Sequence, residues 1–147
     1  MPITYRRTRG YKYQLLQDYA YQTDIKGKNI HFSLVHLAED GELMILHGYA
    51  WDGPSGPGFD TKNLMRGSLV HDAMYQLLRE KLLPEGFREN ADRFIRAICI
   101  EDGMSKFRAW YIYHGLRIFG KGAATGPDEK EGPPITSGKK NHARKNL

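Results

Sequence analysis

Residues 51–61, WDGPSGPGFDT, place three glycines and two prolines within one short segment. Helices and strands both reject that density, because proline removes a backbone donor and an ordered glycine loses the most conformational entropy. The chain therefore changes regime here, and the hydrophobic patterns on the two sides differ. Before the segment, residues 11–25 alternate imperfectly and are rich in tyrosine, residues 30–38 (IHFSLVHLA) alternate better, and residues 42–49 (ELMILHGY) return as a third apolar run. Glu39-Asp40-Gly41 lies between the last two, and an Asp-Gly between apolar runs is a hairpin signal. Residues 1–50 thus read as an antiparallel β-meander.

After the segment the apolar period becomes helical. Asp60 or Thr61 is placed to cap a first helix running to about Leu82, ahead of Pro84, with Leu64, Val70, Met74, Leu77 and Leu78 at helical spacing. A second helix over about residues 86–101 turns Phe87, Ala91, Phe94, Ile95 and Ile98 inward. A third, over about 104–119, carries Phe107, Trp110, Tyr111, His114 and Ile118 along one side and stops at Gly120. The expectation is one α+β domain over residues 1–120, with residues 62–120 as a three-helix core.

Beyond Gly120 the periodicity ends, and residues 121–147 read as an extended, flexible basic tail. This tail holds six Lys or Arg against three acids, so it carries +3 of the net charge of +5 and leaves the body mildly basic. Its KKNHARK cluster has no aromatic interleaving, which argues against sequence-specific nucleic acid recognition. No apolar run is long enough to span a bilayer, and MPITYRRTRGYKY lacks the apolar stretch of a secretory signal. The chain reads as made and folded in a cytoplasm. The single cysteine, Cys99, excludes an internal disulfide and reads as a small buried hydrophobe. Trp51 and Trp110 read as packing residues, and His31, His36 and His47 as strand residues whose spacings do not converge on a zinc ion.

The chemistry centres on His71-Asp72, in GSLVHDAMYQLL. Adjacent helix residues point about 100° apart, so the two side chains serve neighbouring purposes. Asp92 follows His71 by 21 residues, a spacing suited to two facing antiparallel helices. It also borders the apolar stripe of its own helix, and a buried carboxylate needs a partner. Arg88 and His71 are both candidates. If the partner is His71, Asp92 fixes its tautomer and leaves the other ring nitrogen as a base toward water. Asp72 is then available to a hard cation, with oxygens from the Gly-rich loop. Base, orienting carboxylate and Lewis acid together describe a hydrolase site. The competing reading is a polar network that stitches the loop to the helices. An HD-type phosphohydrolase fits poorly, since that architecture is all-helical.

HDAMY resembles the His-Asp-x-x-Tyr helix of the phospholipases A2, and ADRFIRAICI is similar to their second helix, which carries the aspartate that orients the catalytic histidine. The gap between His71 and Asp92 is similar to that of the short prokaryotic members, and WDGPSGPG stands where that family has its calcium loop. The resemblance implies His71 as water-activating base, Asp92 as its orienter and Tyr75 as a hydrogen-bond donor to Asp92. It also implies Ca²⁺ at Asp72, aided by Asp52 or by carbonyls near Trp51 and Gly53. A longer stretch, from about residue 45 to Gly120, resembles a family of tailed-phage and prophage proteins, domain-of-unknown-function family 1353, through YAWDGPSGP, SLVHDAMYQLLR, ADRFIRAI and RIFG. This implies a phage origin without an established activity. Two expectations follow: a phage-encoded hydrolase acting on an ester or envelope-related substrate, or a non-catalytic component of the virion head or tail, or an assembly factor, whose tail segment binds neighbouring subunits.

Overall fold

The computed structural model describes residues 2–9, 13–53 and 62–125. Seven short strands precede four helices, so the α+β expectation holds. The strands are β1 (Tyr5–Arg7), β2 (Tyr13–Leu15), β3 (Tyr19–Gln22), β4 (Ile30–Phe32), β5 (Val35–Leu37), β6 (Glu42–Ile45) and β7 (Ala50–Trp51). They form two antiparallel sheets, ordered β1-β2-β7 and β3-β6-β5-β4. The expected meander is thus confined to β4-β5-β6, with β3 added on the far side of β6. The expected strand over 30–38 breaks at Ser33-Leu34, where Ser33 adopts φ 48° and folds β4 back on β5.

The Asp-Gly hairpin forms as expected and pairs Val35 with Ile45 and Leu37 with Leu43. Asp40 accepts a hydrogen bond from the Glu42 amide at 3.0 Å. Gly41, at φ 93°, turns so close to the preceding loop that a Cβ would lie 2.6 Å from the Thr23 carbonyl. Only glycine meets both demands.

Helix α1 (Lys62–Arg79) buries thirteen of its residues and runs through the centre of the molecule. The sheets and α1 share the main core, built around Leu15, Val35, Leu43, Ile45, Trp51, Leu69 and Met74. The helix ends earlier than expected. Lys81 takes a left-handed φ of 62°, and the Leu82 amide reaches back to the Leu77 carbonyl at 3.0 Å. A single 3-10 turn (Glu85–Phe87) leads into α2 (Arg88–Glu101). A smaller core of Leu64, Ile95, Cys99, Met104 and Ala109 joins α1, α2 and α3 (Lys106–Phe119). The Ser105 hydroxyl caps α3 by accepting from the Arg108 amide.

Two expectations need correction. The aromatic side of α3 faces solvent, Trp110 included, and Ala109 is the helix's one buried residue. The folded unit also continues past Gly120 into a short helix, α4 (Lys121–Thr125), whose Ala124 joins the main core. Its Ala123 carbonyl accepts from Arg79 at 3.2 Å. Helix α4 forms because Gly120 closes α3 without leaving the right-handed region, so the chain can coil again. Asp60, Thr61 and the tail beyond Thr125 lie outside the described residues. Among the described residues, no helix is long and apolar enough to cross a membrane.

Candidate active site

Three helices converge on one carboxylate. Asp92, on α2, is completely buried, which only a full set of donors makes tolerable. His71 on α1 brings Nε2 to 2.8 Å from Asp92 Oδ1. Tyr75, one turn further along α1, donates its hydroxyl to the same oxygen at 2.7 Å. The i, i+4 spacing puts the His71 and Tyr75 rings 4.0 Å apart, so each holds the other in place. Asp92 Oδ2 accepts from Arg117 of α3 at 3.0 Å, and Arg88 stands 3.6 Å away. The alternatives left open for Asp92 therefore resolve in favour of both: His71 by hydrogen bond, Arg88 as a longer ion pair.

Arg117 is the member that sequence reasoning missed. No periodicity marks it, and only the count of donors a buried carboxylate needs could have called for another. Arg88 has a second task. Its guanidinium donates to the carbonyls of Leu116 and Arg117 and so satisfies the C-terminal end of α3. Gly120 makes that approach possible, since a Cβ there would lie 2.6 Å from the Tyr75 hydroxyl and 2.5 Å from the Leu116 carbonyl.

Burial alone would raise the Asp92 carboxyl. Hydrogen bonds from His71 and Tyr75, the adjacent imidazole and the Arg117 guanidinium outweigh it and hold the group below its ordinary 3.8. Tyr75 moves the other way, because burial and its bond to a carboxylate both keep its proton in place. Asp92 is thus an ionised acceptor, so His71 donates from Nε2–H, and in the neutral ring that leaves the lone pair on Nδ1.

His71 lines a cleft of about 470 Å³. Its polar end holds Ser68, His71, Asp72 and Tyr75, and its walls include Leu64, Ile95, Tyr111, Ile112, Leu116 and Phe119. Among the described residues, Nδ1 makes no hydrogen bond, which leaves it to the cleft. Gly115 lies in the wall, and a Cβ there would meet nothing within 4 Å.

The four residues expected to hold a cation are not all brought together. Asp72 and Gly53 line the cleft, whereas Asp52 and Trp51 are not among its lining residues. Trp51 is wholly buried, its indole donating to the Ser68 hydroxyl at 3.1 Å and its ring packed against Tyr5 and Tyr13. Its side chain is structural, as the packing reading had it. No group of three or more His, Cys, Asp or Glu suited to a metal occurs among the described residues. Among the described residues, Asp72 and the Gly53 backbone are the members of that expected set at the cleft, and water would complete the six to eight oxygens that calcium takes. Residues 54–61, the rest of the Gly-rich loop, lie outside the described residues.

A second cleft, of about 650 Å³, opens over Arg66 and Asp102. Those two charges are committed to each other, since Arg66 makes two bonds to Asp102 at 2.9 and 3.0 Å and a third to the Tyr19 hydroxyl at 2.9 Å. This buried fork ties the start of α1 to the end of α2 and to the sheet. His47, expected on a strand, lies in the turn after β6 and pairs with Asp18 at 2.7 Å, and His31 lies against His36 across β4 and β5, so the three histidines do not converge. No family model, no curated protein and no solved structure matches this chain.

Proposed function

We propose that the cleft is a hydrolytic site in which His71 acts as general base toward water and Asp92 and Tyr75 hold it in register. The observation that carries this reading is the 2.8 Å contact between His71 Nε2 and a fully buried, ionised Asp92 at the polar end of an open cleft. With Nε2–H donating to Asp92, Nδ1 takes a proton from a water molecule as its oxygen attacks an ester carbonyl. The same nitrogen returns that proton to the departing alkoxide, leaving an acid and an alcohol. The apolar walls suit an acyl or similarly apolar group on the substrate. A divalent cation, Ca²⁺ in the first instance, would be held by Asp72 and the backbone near Gly53. When bound it would supply charge to polarise the carbonyl. With the phage origin that the sequence resemblance implies, an ester of the host envelope is the substrate class this reading proposes.

A second reading rests on a different observation. Asp92 joins α1, α2 and α3 through His71, Tyr75, Arg88 and Arg117, which is also what a purely structural node does. On that reading the protein is a virion or assembly component that binds other phage proteins or itself.

Esterase and phospholipase assays with Ca²⁺ and with chelator separate the two. On the hydrolytic reading, His71→Ala lowers kcat/KM by about 10²–10⁴-fold, the range for removing a general base. Gly115→Leu adds bulk to the cleft wall at a point where a Cβ meets nothing within 4 Å, so it is expected to block activity while the unfolding midpoint stays near the wild-type value. A wild-type protein inactive across a broad ester panel, or a His71→Ala variant as active as wild type, removes the hydrolytic reading.

A further inference from the structure

Helix α3 leaves an apolar face open to solvent. On it Phe107 is 76% and Ile118 70% exposed, and Trp110 and Tyr111 lie exposed between them. Phe107 stacks on Trp110 at 6.2 Å and Trp110 lies against His114 at 4.4 Å, so the rings are ordered on one another and not on the core. Single exposed apolar residues are ordinary, but a contiguous aromatic stripe marks a surface that something covers.

Charge indicates what covers it. From Met104 to Thr125 the chain holds Lys106, Arg108, Arg117 and Lys121 and no aspartate or glutamate. Arg117 is already paired with Asp92, and a second copy meeting this face would set Lys106, Arg108 and Lys121 against their own counterparts. An anionic lipid surface complements it: aromatic rings settle at the headgroup boundary and flanking Lys and Arg reach the phosphates. We infer that α3 is a docking helix for anionic membranes, with Phe107, Trp110 and Ile118 entering the interface and Lys106 and Lys121 contacting headgroups. Tyr111 and Phe119 also line the cleft, so a docked molecule would present the cleft mouth to the lipid. The docking itself does not depend on His71 chemistry.

Vesicle sedimentation of the full chain, with neutral phosphatidylcholine and with phosphatidylcholine plus phosphatidylglycerol, tests it. Binding is expected to the anionic vesicles, to weaken as salt rises and to be much lower on neutral ones. Fluorescence gives a second reading: Trp51 is wholly buried, so a blue shift on vesicle addition reports Trp110. Phe107→Ala with Ile118→Ala should weaken partitioning by about tenfold or more, given the transfer free energy of two large apolar side chains. Lys106→Glu with Lys121→Glu should do likewise on anionic vesicles only. All four positions are exposed, so unchanged unfolding midpoints are expected and show that the variants are folded. His71→Ala should bind vesicles as wild type does, even where ester hydrolysis is lost. Failure to bind anionic vesicles overturns the inference, as does equal binding to both kinds. Self-association that Phe107→Ala with Ile118→Ala abolishes, without vesicle binding, would assign the face to a second copy instead.

Discussion

Asp92 has no access to water, yet its environment favours the charged form. Removing that charge leaves Arg88, Arg117 and His71 facing a neutral amide, and breaking a buried pair from one side costs about 3–5 kcal/mol. Asp92→Asn should therefore lower unfolding stability by that order at neutral pH, measured by urea titration. The pH dependence has a definite sign. Because the folded-state value lies below the ordinary 3.8, the contribution is complete above the unfolded value and is lost as pH falls through the lowered folded one. The gap between wild type and Asp92→Asn should narrow as pH falls below about 4. A gap unchanged down to pH 3 would show that the charge does not stabilise the fold. Cys99 is the opposite case: burial, then the nearby Asp102 charge, push its thiol up to about 12. It should resist thiol reagents in the native protein and react only on unfolding.

Among the elements, α1 and α2 make the most extensive contact, and it is a close one. A Cβ on Gly67 would lie 2.9 Å from Cys99 Sγ, 3.0 Å from Ile95 Cγ1 and 3.2 Å from the Ile95 carbonyl. Alanine would gain up to about 1 kcal/mol in helix propensity. Overpacking against a backbone carbonyl that cannot move aside costs about 1–3 kcal/mol, so the net effect of Gly67→Ala should be destabilising. Cys99→Ala in the same chain should recover part of the loss, and a double-mutant cycle measures how much. The crossing matters for the site because it sets the distance between His71 and Asp92. Much of this was legible beforehand. His71 and Asp92 meet as their spacing indicated, since helical period and a short connection constrain which faces of two antiparallel helices oppose, and Tyr75 donates to Asp92 as the resemblance implied. Arg117 was not legible, because the approach of α3 depends on how it packs and not on its own period.

For the whole molecule, the boundary of the folded unit is the sharpest departure from expectation. Ala124 is buried in the main core and the Ala123 carbonyl receives Arg79, so a chain ending at Gly120 loses core and a hydrogen bond together. Truncation to residues 1–120 should cost about 1–2 kcal/mol. Truncation to 1–125 removes none of the described contacts and should leave the thermal midpoint near that of the full chain. Equal midpoints for both truncations would show that α4 adds nothing to stability. Local chemistry in the sequence determined the change from β to α at the Gly/Pro segment, the Asp40-Gly41 hairpin and the facing of His71 and Asp92. Each depends on turn geometry or on a period carried by neighbouring residues. Tertiary structure alone decided that the strands divide into two sheets, that Arg117 completes the Asp92 site and that the aromatic side of α3 stays uncovered. A period shows which residues share a face, whereas what covers that face depends on where distant parts of the chain come to rest.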